Sequence, residues 1–276
     1  MRDGAIPAAE GQNTTMGTVS KALELLDYFS KARPLIGLTD FARLAELNKA
    51  TCFRLLAELQ AHGLVEQVGA AREYRLGPAV LRLANLREMI VPRKAAALPV
   101  LRALAQATQE TAHICVIEGE KLGMLAFAYA AAHATRVTME DAEVLPFHAT
   151  SSGLCALAFC DPALRDRILG QPLRQYTQAT ETDATVLRAR LALIRSCGIA
   201  ESVATYEAEV HSFAAPLFDA TGQCVGALAV AAPSSRVSSA LRDRIIAELT
   251  PHAAEIVTLW GGTLPSGLAK LWTRAA

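Results

Sequence analysis

Three groups of residues in this chain have types and spacings that could do chemistry. The first is Lys49, Thr51 and Arg54, interleaved with Leu55, Leu56 and Leu59. Read as a helix over 50–62, the leucines form one face and the polar residues crowd an open leading turn. Such a turn can read DNA, because arginine pairs with guanine through two hydrogen bonds and threonine meets a thymine methyl or a phosphate. Arg72 and Arg75 have the reach for phosphates or a minor groove. Ordinary solvated charges on a helical domain would look the same. The second group is HATSSG from His148 to Gly153, a polar loop that runs directly into the apolar LCALAF. The first turn of a helix carries unpartnered N–H groups and partial positive charge, which suits a carboxylate. Ser151 and Ser152 could add hydroxyl donors, although simple capping by Thr150 or Ser151 fits the same residues. The third group is His113, Cys115, His148 and His211, whose nitrogen and sulfur donors are of the kind zinc takes. His113 and Cys115 are two apart on an expected strand and so share a face. Lone histidines beside a pocket more often hydrogen-bond within the wall, so no metal and no cofactor is assigned.

Catalytic signatures are missing. There is no Gly-x-Ser-x-Gly elbow, His-Glu-x-x-His, P-loop or dinucleotide fingerprint. The six cysteines are scattered without a Cys-x-x-Cys pair, and they read as reduced thiols acting as small core hydrophobes. Cys115 and Cys155 have apolar flanks, not the electropositive setting a nucleophile needs. An enzyme is not expected.

The elements that must position these groups fall into two sets. A helical period runs from Thr18 to Phe29, and a loop with Pro34 and Gly37 ends it. A short helix over 40–45 and a turn over 46–49 lead to the helix over 50–62, with Asn48 as cap and Gly63 as stop. Runs 64–68 and 72–76 alternate around Gly69 as a hairpin. Three helices and a hairpin describe a winged helix-turn-helix. Beyond Gly77-Pro78, helices are expected over 79–89 and from Pro92 to about 109. Strand patterns follow at 112–118, 123–129 and 135–139, helices at 152–160, 162–169 and 185–197, and strands at 199–204, 212–218 and 224–231. A last helix from about Ser238 to Trp260 contains Pro251, which should kink or split it. This order suggests an α+β sandwich, an antiparallel sheet with helices on its faces. The domains expected are a flexible arm (1–16), the winged unit (17–78), a linker helix (79–91), the α+β domain (92–262) and a C-terminal tail (263–276).

Composition agrees with an ordered, soluble chain: 52% of 276 residues are hydrophobic and 20% charged. The longest apolar runs, 126–132 and 224–233, fall short of the roughly 18–20 residues that span a bilayer. The N-terminus lacks a basic start with an apolar run behind it, so no secretory signal is read. Net charge is zero. Residues 1–90 carry 11 basic and 10 acidic side chains, and residues 91–276 carry 16 against 17. Any basic footprint is therefore local.

Several stretches together resemble the IclR family. They are TVSKALELL from Thr18, LTDFA from Leu38, KATCFRLLAEL from Lys49, GLVE from Gly63 and YRLG from Tyr74. ALPVLRAL from Ala97, TQETA from Thr108, FHATSSG from Phe147 and APLFDATG from Ala215 follow in order and with the right gaps. The resemblance covers about Thr18 to Trp260. It implies a cytoplasmic bacterial transcription regulator that joins a winged helix-turn-helix to a GAF-like effector-binding domain. It further implies a homodimer or tetramer bound to a double-stranded DNA operator. Lys49, Thr51 and Arg54 fall where family members contact DNA. Ser151, Ser152, Ser202, Ser212, Ala229 and Ala231 fall where they line an effector pocket. Alanine at the last two positions, where some relatives carry serine, implies a less polar wall and a carboxylate-bearing ligand with an apolar or aromatic body. Lys21 replaces a usual arginine and keeps the charge without the planar fork. Leu154-Cys155 replaces a usual Lys-Ala and removes a positive charge. Glu46 stands where the turn usually has glycine, at a cost if that residue is left-handed. A constitutive DNA-binding protein whose C-terminal domain only oligomerises, and a cysteine-based GAF-like reductase, are the alternatives.

Overall fold

The computed structural model describes residues 17–30, 33–90, 92–140 and 144–275. The arm expected over 1–16 lies outside them. The chain divides between residues 91 and 92 into two compact units, each considered by itself.

The first unit contains α1 (Thr18–Glu24), a single 3-10 turn (Leu25–Tyr28), α2 (Leu38–Leu44), α3 (Lys49–Ala61), β1 (Val65–Val68), β2 (Glu73–Leu76) and α4 (Pro78–Ile90). The helix expected through Phe29 thus tightens after Glu24. That rotation buries Leu25 while Val19 and Leu23 stay exposed. α3 is held at its start by Asn48, whose Oδ1 accepts the Thr51 N–H at 2.8 Å. Its other anchor is apolar: Cys52, Leu55, Leu56 and Leu59 are buried with Leu25, Ile36, Phe41 and Tyr74. Burying three leucines stabilises the unit by about 5–9 kcal/mol. β1 and β2 pair antiparallel with Glu66 opposite Arg75, and Ile36 bridges to Tyr74 on the far side. A winged helix-turn-helix results. Gly77 is obligatory, because a Cβ there would lie 2.2 Å from the Gly63 carbonyl oxygen.

Glu46, between α2 and α3, has φ +53°. A left-handed glutamate costs about 1–2 kcal/mol, and glycine gives back about 0.5–1 kcal/mol in chain entropy. Glu46→Gly is therefore expected to stabilise the first unit by about 0.5–1 kcal/mol, read as a rise of a few degrees in its melting transition.

The second unit runs α5 (Arg93–Thr108), β3 (Thr111–Glu118), β4 (Lys121–Ala128), β5 (Val144–Leu145), α6 (Ser151–Phe159), α7 (Pro162–Leu169), α8 (Ala184–Cys197), β6 (Ala200–Val203), β7 (Val210–Phe218), β8 (Cys224–Pro233), α9 (Ser239–Leu259) and α10 (Ser266–Ala275). The six strands form one antiparallel sheet in the order β5-β4-β3-β8-β7-β6. Period-2 alternation divides its side chains between two apolar cores. Ile114, Phe213, Leu228 and Val230 pack on one face with α5, α9 and α10. Cys115, Ala214, Ala227 and Ala229 pack on the other with α6, α7 and α8. The small residues on that second face let α6 lie close, and Ser151 through Ala158 are all buried. This is the expected GAF-like α+β architecture.

Three local expectations change. Residues 135–139 form no strand. Their backbone is held by side chains instead: Thr111 Oγ1 donates to the Val137 carbonyl at 2.7 Å, and the Met139 N–H donates to the Tyr129 hydroxyl at 2.9 Å. Pro251 does not split α9, which continues through it. The tail expected over 263–276 contains α10, anchored by buried Leu268 and Trp272.

Candidate nucleic-acid interface and ligand cavity

On α3 the buried face points the leucines into the first unit, and the opposite side is open. Lys49 and Arg54 are exposed, and Thr51 is half-buried at the capped turn. Neither Lys49 nor Arg54 forms an ion pair among the described residues. Phe53, 49% exposed, shares this open surface, and the sequence reading did not single it out. On the wing, Arg72 is exposed and left-handed (φ +53°), and its guanidinium donates to Gln67 Oε1 at 3.1 and 3.2 Å. Arg75 pairs with Glu66 at 2.6 Å. The wing arginines therefore already have partners, in contrast to Lys49 and Arg54.

In the second unit a cavity opens between the sheet and the start of α6, enclosing about 490 Å³ with its mouth included. Ser151, Ser152, Ser202, Ser212 and Ala231 all line it. Ala229 does not. It lies two residues along β8 on the same face, fully buried in the core beneath α6. Thr150 caps α6 by accepting the Gly153 N–H at 3.0 Å while donating to the Pro146 carbonyl at 3.0 Å. Capping thus uses Thr150, and the two serines behind it line the cavity. A Cβ on Gly153 would lie 2.3 Å from the Phe147 carbonyl oxygen, so only glycine lets the loop cross the helix here.

His113 brings the sheet into the site. β3 places it against Ala229 in register, and its Nε2 lies 3.0 Å from Ser152 Oγ. Its Nδ1 is buried with no partner among the described residues, as is Ser151 Oγ. Both residues line the cavity. Buried polar atoms are rarely left unpaired, and these two belong to residues that line one space. Burial lowers the His113 pKa to about 4, so the imidazole is neutral at physiological pH. The other candidate ligands do not join it. Cys115 is in the core beneath α6, His148 Nε2 pairs with the Arg174 carbonyl at 2.8 Å, and His211 pairs with Glu201 at 2.8 Å. The rest of the wall comes from Val137, Met139, Thr205, Tyr206 and Glu207. Ser202 bonds Thr205, whose hydroxyl donates to the Ala149 carbonyl at 2.6 Å and so ties the 204–209 loop to the entry of α6.

The neutral His113 gives a pH signature. Above its ordinary value of 6.5 both folded and unfolded chains leave it uncharged. Between 6.5 and about 4 the unfolded chain takes up a proton that the folded one refuses, so stability falls with pH. Full loss amounts to about 3 kcal/mol, complete once the pH is below about 4. Urea unfolding at pH 7.0 and 4.5 is expected to show this loss, and His113→Gln is expected to remove most of it.

Residues 18–69 match the IclR helix-turn-helix domain, and residues 90–258 match the bacterial transcriptional regulator IclR C-terminal domain, well over half of the chain. The chain belongs to the IclR family. A crystal structure of an IclR transcriptional regulator from Silicibacter sp. TM1040 is 49% identical over 91% of this chain and 99% of that one, with a TM-score of 0.87. An IclR homolog from Microbacterium hydrocarbonoxydans, complexed with 4-hydroxybenzoate, is 26% identical over 88% of this chain and 99% of that one, with a TM-score of 0.71. The transcriptional repressor IclR of Escherichia coli K12 is 25% identical over 93% of this chain and 98% of its own. Like these relatives, this IclR-family protein is a transcription regulator with a DNA-binding helix-turn-helix and an effector-binding C-terminal domain.

Proposed function

We propose that this protein binds a specific operator through α3 and that a small carboxylate-bearing molecule in the α6 cavity sets its operator affinity. The observation that carries the reading is the pair of buried, unpartnered polar atoms, Ser151 Oγ and His113 Nδ1, at a cavity where α6 presents its first-turn amides. A carboxylate accepts from those amides and from Ser151, and the neutral imidazole supplies a further polar contact. Val137, Met139 and Ala231 give the rest of the ligand an apolar wall. The relative crystallised with 4-hydroxybenzoate, an acid with an apolar ring, supports this class. A C-terminal domain that only oligomerised would have no use for buried orphan groups around an open space, which disfavours the constitutive reading.

Lys49, Thr51 and Arg54 read the major groove, while Arg72 and Arg75 serve the phosphates after exchanging their present partners. The regulator acts on DNA in the cytoplasm as a homodimer or tetramer. The exposed Leu81, Leu83, Leu86 and Met89 of α4 offer an apolar surface to a second copy.

Coupling between operator and effector is reciprocal and worth about 1–3 kcal/mol, a factor of roughly 5–150. Effector affinity is therefore expected to change by the same factor when operator is added as operator affinity changes when effector is added. Titration calorimetry with an acid panel, with and without operator DNA, checks this. Equal effector affinities in the two titrations would leave DNA binding intact and remove the control.

A further inference from the structure

We infer that the effector carries a cationic nitrogen as well as its carboxylate, as a small α-amino acid with an apolar side chain does. The inference rests on the sensor reading above and adds the charge pattern of the ligand. No lysine or arginine is among the described residues that line the cavity. Arg174, whose guanidinium sits 5.0 Å over Tyr176, is not part of the lining. Among the described residues that line the cavity, Glu207 is the only ionised side chain; it is exposed and in no ion pair among them. A simple carboxylate would therefore enter a site whose one full charge among the described lining residues repels it, with only dipoles and hydroxyls in its favour.

A zwitterionic ligand resolves that conflict. At the start of α6 the first-turn amides and the orphaned Ser151 hydroxyl receive an anionic group. On the 204–209 loop, Glu207 and the neighbouring Tyr206 ring supply a carboxylate and a π face. These are the two kinds of group that hold an ammonium. The loop that carries Glu207 is tied to the entry of α6 through Thr205 and the Ala149 carbonyl. The ligand body faces Val137, Met139 and Ala231, which favours a short apolar side chain over a polar one.

The test is calorimetry on the full-length protein with paired probes: glycine, L-alanine and L-valine, the 2-oxo acid of each carbon skeleton, and the corresponding amine without the carboxyl group. At least one amino acid is expected to bind tenfold or more tighter than its 2-oxo acid, and the amines are expected not to bind. Glu207→Gln, at an exposed position, is expected to erase the preference while leaving the 2-oxo acid affinity unchanged or improved. Ser151→Ala is expected to weaken both acid series alike. An unchanged melting temperature of each variant without ligand shows that the fold is kept. Binding of the 2-oxo acids as tightly as the amino acids, or a preference that survives Glu207→Gln, overturns the inference and leaves the sensor reading standing. No binding by either series, with no effect of either on operator affinity, overturns both.

Discussion

Alanine at Gly153 is expected to abolish effector binding and to lower the stability of the second unit by about 3 kcal/mol or more. The added methyl would sit 2.3 Å from the Phe147 carbonyl oxygen and 2.5 Å from its Cα. Both contacts are backbone, so no side chain can rotate away. Overpacking in a close-packed core typically costs about 1–3 kcal/mol, and a backbone collision at the start of a fully buried helix belongs at the upper end. The only relief is to lift the Phe147–Thr150 segment off α6. That movement breaks the Thr150 cap and shifts Ser151, Ser152 and the Ala149 carbonyl that anchors Thr205. Urea unfolding of the second unit measures the stability loss, and calorimetry on the surviving folded fraction measures the loss of binding. A Gly153→Ala protein with wild-type stability would mean that the loop does not cross the helix as described.

The double variant Lys49→Ala/Arg54→Ala is expected to weaken operator binding by about 10²–10³-fold with no change in melting temperature. Each base-contacting side chain contributes about 1–3 kcal/mol of discrimination, and each phosphate contact removed lowers the salt slope by about one. Both side chains are exposed and outside the buried face of α3, so the fold has no stake in them. By contrast, Arg75→Ala is expected to cost far less, because the free protein already holds that guanidinium against Glu66 at 2.6 Å. Fluorescence anisotropy across a range of salt concentrations separates the two effects. Equal losses for Arg54→Ala and Arg75→Ala would contradict the division of roles between helix and wing.

The helices of the first unit were legible because their apolar spacing, caps and stops coincide. Asn48, the leucines and Gly63 each say the same thing about α3. The strands at 112–118, 212–218 and 224–231 were legible as short β-rich runs with turn signals between them. Residues 135–139 misled because Val137 and Met139 alternate with polar neighbours as a strand would. Their backbone partners are side chains from β3 and the end of β4, and no local pattern announces such long-range donors. α10 had a readable signal that was passed over: Leu264, Leu268, Leu271 and Trp272 recur at helical spacing. In the cavity, the serines on α6 could be found from their place at a polar-to-apolar junction. His113 is legible as a histidine that hydrogen-bonds within a pocket wall, but its partner is not. Its pairing with Ser152 depends on β3 registering with β8 under α6, which is tertiary information. Ala231 and Ala229 illustrate the same limit. They share a strand face, and only the position of the α6 start decides that one lines the cavity and the other meets the helix.

The alternation of β3, β7 and β8 between two cores has a practical corollary for anyone wishing to retune this regulator. Ser212 and Phe213, like His113 and Ile114, are neighbours on one backbone, so a change of bulk at Phe213 or Ile114 tilts the strand that carries the recognition group. Libraries seeking new effector preferences can therefore be drawn from the rear of the wall, at residues outside the cavity lining. Such variants would alter the angle of presentation while the chemical identity of every contact stayed the same.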